Sequence, residues 1–164
     1  MSQNNSSQNV ESMQERLKTI GKADFFHVLA EVPELCNPFM DIAVDLWNFR
    51  DDRTREIIVL RLASSFGSSY ELQHHLTIAR QVGLSMYEIE AIIQGKMLEN
   101  FKEHENCLLT AIDQIINKES VDKESFFKYY NKEELQYLVA FAGFYSWLNY
   151  YTTALDLKVG QKTW

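Results

Sequence analysis

The chain has 164 residues, 46% of them apolar and 13% aromatic, with two prolines, six glycines and a net charge of −7. That is enough chain for one domain with a sizeable core, and the scarcity of turn formers favours helices over a β fold. The acidic balance disfavours partners that need a basic face, namely nucleic acid and anionic membrane.

Residues 1–11, MSQNNSSQNVE, are polar and are expected to be a disordered tail. They have neither the basic start nor the apolar core of a secretory signal, and no apolar run reaches the roughly 20 residues of a membrane span. The expected location is therefore cytoplasmic. Residues 12–164 are expected to form one helical domain. Residues 12–32 read as a helix broken at Gly21 and ended or bent by Pro33, with Phe25, Phe26, Val28, Leu29 and Val32 on its apolar face. Asn37-Pro38 has the form of a helix start, a cap followed by proline in the first turn. Phe39, Ile42, Ala43, Leu46 and Trp47 then recur at helical spacing.

Arg50 to Arg55 is a short charged link whose mixed signs suggest a solvated turn, with Arg50, Arg53 or Arg55 as an alternative partner to neutralise Glu56. The run IIVLRLA from Ile57 to Ala63 predicts a helix buried on most sides, capped by Asp51 or Asp52. Glu56 stacks in its first turn over Leu60 and Ala63, so its carboxylate faces apolar surroundings. Gly67 ends this helix and Ser68 begins the next. Ser68 to Glu71 has the spacing of a capping box, which accounts for Glu71 structurally. The stripe Leu72, His75, Leu76, Ala79, Val82 turns His75 inward and leaves His74 wetter. Gly83 closes that helix, Ser85 to Glu88 is a second capping box, and Gly95 ends the helix it starts.

Residues 100–117 form another amphipathic helix, with His104, Cys107, Leu108, Ala111, Ile112 and Ile115 in its stripe. Asp122 caps a short helix holding Phe126, and Asn131 to Glu134 starts a last long helix that is apolar on nearly all sides. Such a helix is either central to the monomer or shared with another subunit. Cys36 and Cys107 are too isolated to declare a disulfide. Glu71-x-x-His74 has the spacing used in di-iron bundles, but such sites need a second motif and more carboxylates; a single metal held by Glu56, Glu71 and His75 is the minor alternative, and no metal is assigned. Ser68 lacks the glycine pattern of a nucleophile elbow.

At REIIVLRLA and YELQHHLTIARQVGLSMYEIEAI the sequence resembles the carboxymuconolactone decarboxylase family, which also contains alkylhydroperoxidase D. The resemblance covers roughly residues 24–157 and is tightest over 53–95. It implies an all-α, single-domain helical bundle of the alkylhydroperoxidase D-like type, assembled as a trimer or hexamer. It also implies a catalytic pair, Glu56 and His75, which stand where the peroxidase branch has its Glu and His. Ser68 and Glu71 stand where that branch has its two cysteines. Neither can cycle through a disulfide, so the family's peroxiredoxin description does not extend to thiol chemistry at these positions.

The resemblance therefore implies a small-molecule enzyme in which Glu56 and His75 do acid–base work on a carboxylate-bearing substrate, by decarboxylation or lactone chemistry. Ser68, Tyr70, Glu71 and His74 would bind the substrate, and no organic cofactor is implied. The alternatives are a thiol-less, non-catalytic oligomeric binding protein and a peroxidase that uses Cys36 or Cys107. An open pocket around Glu56 and His75 favours the enzyme, and a sealed pair favours the binding protein.

Overall fold

The computed structural model describes residues 24–97, 99 and 101–160. The expected tail at 1–11 and the first half of the helix expected at 12–32 lie outside the described residues. Eight helices and no strands are found among the described residues. The described residues fall into two compact units, 24–48 with 157–160, and 49–156.

In the first unit, α1 (Asp24–Leu29) is followed by α2 (Pro33–Trp47). Phe25 and Phe26 pack edge-on against Phe39, with ring centroids 5.7 and 6.3 Å apart. The helix start expected at Asn37-Pro38 is corrected here. Pro33 occupies the first turn, Leu35 and Cys36 both donate to the Val32 carbonyl, and Pro38 lies inside α2. Pro33 needs no donor in the first turn. Pro38, one turn further on, lacks the N–H that would reach back to the Glu34 carbonyl.

The second unit is built on α3 (Asp52–Ser65), which touches α4 (Ser69–Gln81), α5 (Met86–Gln94), α6 (Glu103–Ile116) and α8 (Lys132–Ala154). A helix with neighbours on so many sides has no wet face to keep polar. Ile57, Ile58, Val59, Leu60, Leu62 and Ala63 are accordingly all buried. Each large side chain among them contributes roughly 1.5–3 kcal/mol by leaving water. Asp51 caps α3, its carboxylate accepting from the Thr54 N–H.

The arginines of the charged link join several helices through their own acidic partners. Arg53 donates to Glu88 of α5 at 2.6 Å and to Glu105 of α6 at 2.7 Å, tying three helices together. Arg50 pairs with Glu134 and lies over the Tyr130 ring, 5.0 Å from its centroid. Arg55 bonds Asp52 and the Arg50 carbonyl. The short α7 (Lys123–Phe126) is capped by Asp122, as expected, and the Ser85–Glu88 and Asn131–Glu134 capping boxes both form.

The junction between α3 and α4 places the candidate site. Gly67 adopts φ +71°, a left-handed conformation that costs a residue with a Cβ about 1–2 kcal/mol. Its N–H bonds Ser64 O, and the next N–H, of Ser68, bonds Ala63 O at 2.8 Å. This Schellman closure reverses the chain in two residues, so α4 runs back along α3. Ser68 then caps α4, its hydroxyl accepting from the Glu71 N–H at 3.4 Å.

Candidate functional site

The tight reversal brings residues nineteen positions apart into contact. His75 Nδ1 lies 3.0 and 3.2 Å from the two carboxylate oxygens of Glu56. The imidazole N–H on this nitrogen donates to Glu56, which fixes the ring's orientation. The other nitrogen, Nε2, faces Tyr145 Oη at 3.4 Å and Glu71 Oε2 at 3.6 Å. Glu56, Glu71 and His75 are 2%, 3% and 4% exposed. The arrangement is a buried chain of carboxylate, imidazole, and carboxyl with hydroxyl, contributed by α3, α4 and α8.

The expected capping box at Ser68–Glu71 forms only in its first half. The Ser68 N–H is already taken by Ala63 O, so the Glu71 carboxylate has no donor there to reach back for. It turns instead along the helix to His75, one turn on. Glu71 Oε1 is buried without a hydrogen-bond partner. Ser68 and Tyr70 are buried beside this junction, His74 is half-buried with its ring edge-on to His75, and Gln73 is exposed.

Burial pushes the Glu71 carboxyl up to about 6, a rise that the positive charge of His75 moderates. Burial pulls the His75 pKa down, but its hydrogen bond to Glu56 and the charges of Glu56 and Glu71 outweigh that and raise it above the usual value. Burial holds the Tyr145 hydroxyl protonated, its pKa raised well above the usual 10, and the Glu71 and Glu56 charges act in the same direction. The cluster therefore combines an imidazole whose charged form is favoured, a neutral phenol and a carboxyl that titrates above the usual carboxylate range.

Tyr145 is the member that sequence reasoning missed. It lies seventy residues beyond His75, among the other aromatics of α8, and only the contacts of α8 with α3 and α4 single it out. A buried tyrosine on an apolar helix has no local signal that separates a core ring from one with a working hydroxyl.

Among the described residues no group of three His, Cys, Asp or Glu side chains is arranged to hold a metal ion. His75 spends Nδ1 on Glu56 and turns Nε2 towards Glu71, so the two carboxylates lie on opposite edges of the ring. Neither Cys36 nor Cys107 is in a disulfide. Burial raises both thiols above their usual pKa, and Asp122 raises Cys107 further. Such groups remain thiols rather than reactive thiolates at neutral pH. No helix among the described residues is long and apolar enough to cross a membrane.

No protein-family model matches the sequence, and no curated protein matches it as a relative. Solved structures do match the fold. The debrominase Bmp8 without ligand is similar over 97% of this chain and 89% of its own, with a TM-score of 0.75 and 17% identity. A cysteine-to-alanine variant of the same debrominase, in complex with 2,3,4-tribromopyrrole, matches equally well. A protein of unknown function from Agrobacterium tumefaciens, ascribed to antioxidant defence as an AhpD, matches over 84% of this chain and 96% of its own, with a TM-score of 0.70 and 17% identity. The architecture is thus the all-helical, AhpD-like one, and at this identity the likeness is one of fold.

Proposed function

We propose that this protein is a small-molecule enzyme of the AhpD-like fold in which Glu56 and His75 perform acid–base chemistry. The reading rests on one observation: the Glu56 carboxylate grips His75 Nδ1 at 3.0 Å in a buried site. A carboxylate on one ring nitrogen orients the imidazole and supports its charged form beside the reacting groups. The substrate class in this proposal is a lactone or carbonyl compound bearing a carboxylate, which would lose carbon dioxide or shift a proton. Ser68, Tyr70 and His74 around the start of α4 would hold it. The two neighbours of this fold, a debrominase that binds a bromopyrrole and a protein ascribed to antioxidant defence, support small-molecule chemistry on this scaffold.

The test is incubation with 4-carboxymuconolactone, following carbon dioxide release and ultraviolet absorbance. Consumption by the wild type, reduced at least about 100-fold in Glu56→Gln and in His75→Asn, is expected. No consumption above a protein-free control would end this reading of the substrate.

A second reading, a non-catalytic binding protein, is favoured by the seal itself, since both members of the pair are under 5% exposed. It expects ligand binding without turnover. Assembly into a trimer or hexamer belongs to the same proposal. The exposed Val139, Trp147 and Tyr150 of α8 support it, and light scattering that gave a monomer would refute it.

A further inference from the structure

His75 has no ring atom left for a substrate. Nδ1 is held by Glu56, and Nε2 faces Tyr145 and Glu71. Glu71 is placed differently. Its Oε2 faces the imidazole, while Oε1 is buried and has no partner in the protein. An orphaned buried oxygen is costly unless something fills its hydrogen bond. We propose that Glu71, through Oε1, is the group that exchanges a proton with the substrate, and that His75 is a positioning residue acting through it.

This inference rests on the acid–base reading above and changes its division of labour. In the forward step Oε1 of the Glu71 carboxylate takes the hydrogen of a carbon or oxygen acid, and the bonding electron pair stays on the substrate. Glu71 becomes the neutral acid, and His75 neither gains nor loses a proton in the step. In the reverse step the same proton returns from Oε1, and His75 Nε2–H stabilises the carboxylate left behind. Tyr145 stays protonated and holds the ring from the side. The titratable groups that act on Glu71 or share its cluster include His75 from α4 and Tyr145 from α8, with Glu56 and Arg55 of α3 acting on Tyr145 and His74 edge-on to His75. A carboxyl near its midpoint around pH 6 suits both directions of transfer.

The experiment uses diazoacetamide, a small neutral reagent that esterifies protonated carboxyl groups. The carboxyl hydrogen moves to the diazo carbon, the carboxyl oxygen bonds to that carbon, and dinitrogen leaves. At pH 6 the full chain should gain one ester, mapped by peptide mass spectrometry to Glu71 ahead of the exposed acids. Glu71→Gln, checked for helicity by circular dichroism, should lose that ester. In His75→Gln the pH at which labelling falls by half should move up, because the imidazolium that favours ionised Glu71 is gone. A packing role for His75 would not move that midpoint in this direction.

Labelling elsewhere with Glu71 untouched, or an unchanged or lowered midpoint in His75→Gln, would overturn the assignment. The two proposals fail separately. Glu71 labelled with the lactone unconsumed would refute the substrate reading alone. Lactone consumed equally well by Glu71→Gln would refute the role of Glu71 alone.

Discussion

Replacing Glu71 by glutamine should flatten the pH dependence of stability, by an amount set by the burial of this carboxyl. In the folded protein the group titrates at about 6, against an ordinary 4.5. Below 4.5 both the folded and unfolded chains hold the proton, and burial carries no charge penalty. Between 4.5 and about 6 the unfolded chain releases its proton first, so stability falls as pH rises. Above that window the folded state keeps a buried carboxylate. At about 1.4 kcal/mol per tenfold change in affinity for the proton, the loss totals about 2 kcal/mol.

The raised pKa of His75 acts in the same direction, since its contribution is fully present below 6.5 and is lost as pH rises through the folded value. Glutamine removes the Glu71 part and weakens the His75 part. Relative to wild type, the variant should therefore gain about 2 kcal/mol between about pH 4 and pH 8. Urea denaturation midpoints across that range measure it, and at a slope of about 2 kcal/mol per molar the midpoint difference should move by about 1 M. Parallel curves, or a variant that loses ground with rising pH, would refute the account of Glu71 as a buried, raised carboxyl.

Arg53→Met should destabilise the fold by about 1–3 kcal/mol in denaturant melts, because Glu88 and Glu105 lose a shared cation that is itself partly exposed. Arg53 also holds Glu88 below its usual pKa, a contribution present above 4.5 and lost as pH falls, so the gap between variant and wild type should narrow in acid. Gly67→Ala should cost about 1–2 kcal/mol by the same melts, with nothing crowding the added methyl, because the penalty is the left-handed backbone alone. Tyr145→Phe keeps the ring and removes the hydroxyl. In nitrogen-15 spectra of the imidazole it should move the Nε2 resonance of His75 more than that of Nδ1, and equal movement of both would contradict the assigned contacts.

Local chemistry made much of the fold legible. The apolar run from Ile57 to Ala63 marks a helix with no wet side, and it is the helix that four others contact. Asp51, Ser85, Asp122 and Asn131 start helices because a short polar side chain can satisfy N–H groups within three residues of itself. Two other motifs misled, one about where a helix starts and one about how far its cap extends. Asn37-Pro38 resembles a start, yet the turn at Pro33 is already closed by Val32. Ser68–Glu71 resembles a reciprocal cap, yet the Ser68 N–H is used by the preceding helix. In both cases a neighbouring turn had satisfied the groups that the motif exists to satisfy.

The sequence by itself determined that the chain is helical, where most helices begin and end, and that Glu56 and His75 face inward. These follow from interactions spanning a few residues, and the periodicity of the chain records them directly. The tertiary structure alone decided that Glu71 points at His75 rather than at its own cap, that the arginines serve Glu88, Glu105 and Glu134, and that Tyr145 closes the cluster from α8. Those outcomes depend on which side chains meet across packed helices, and a contact between residues seventy positions apart leaves no periodic trace in the intervening chain.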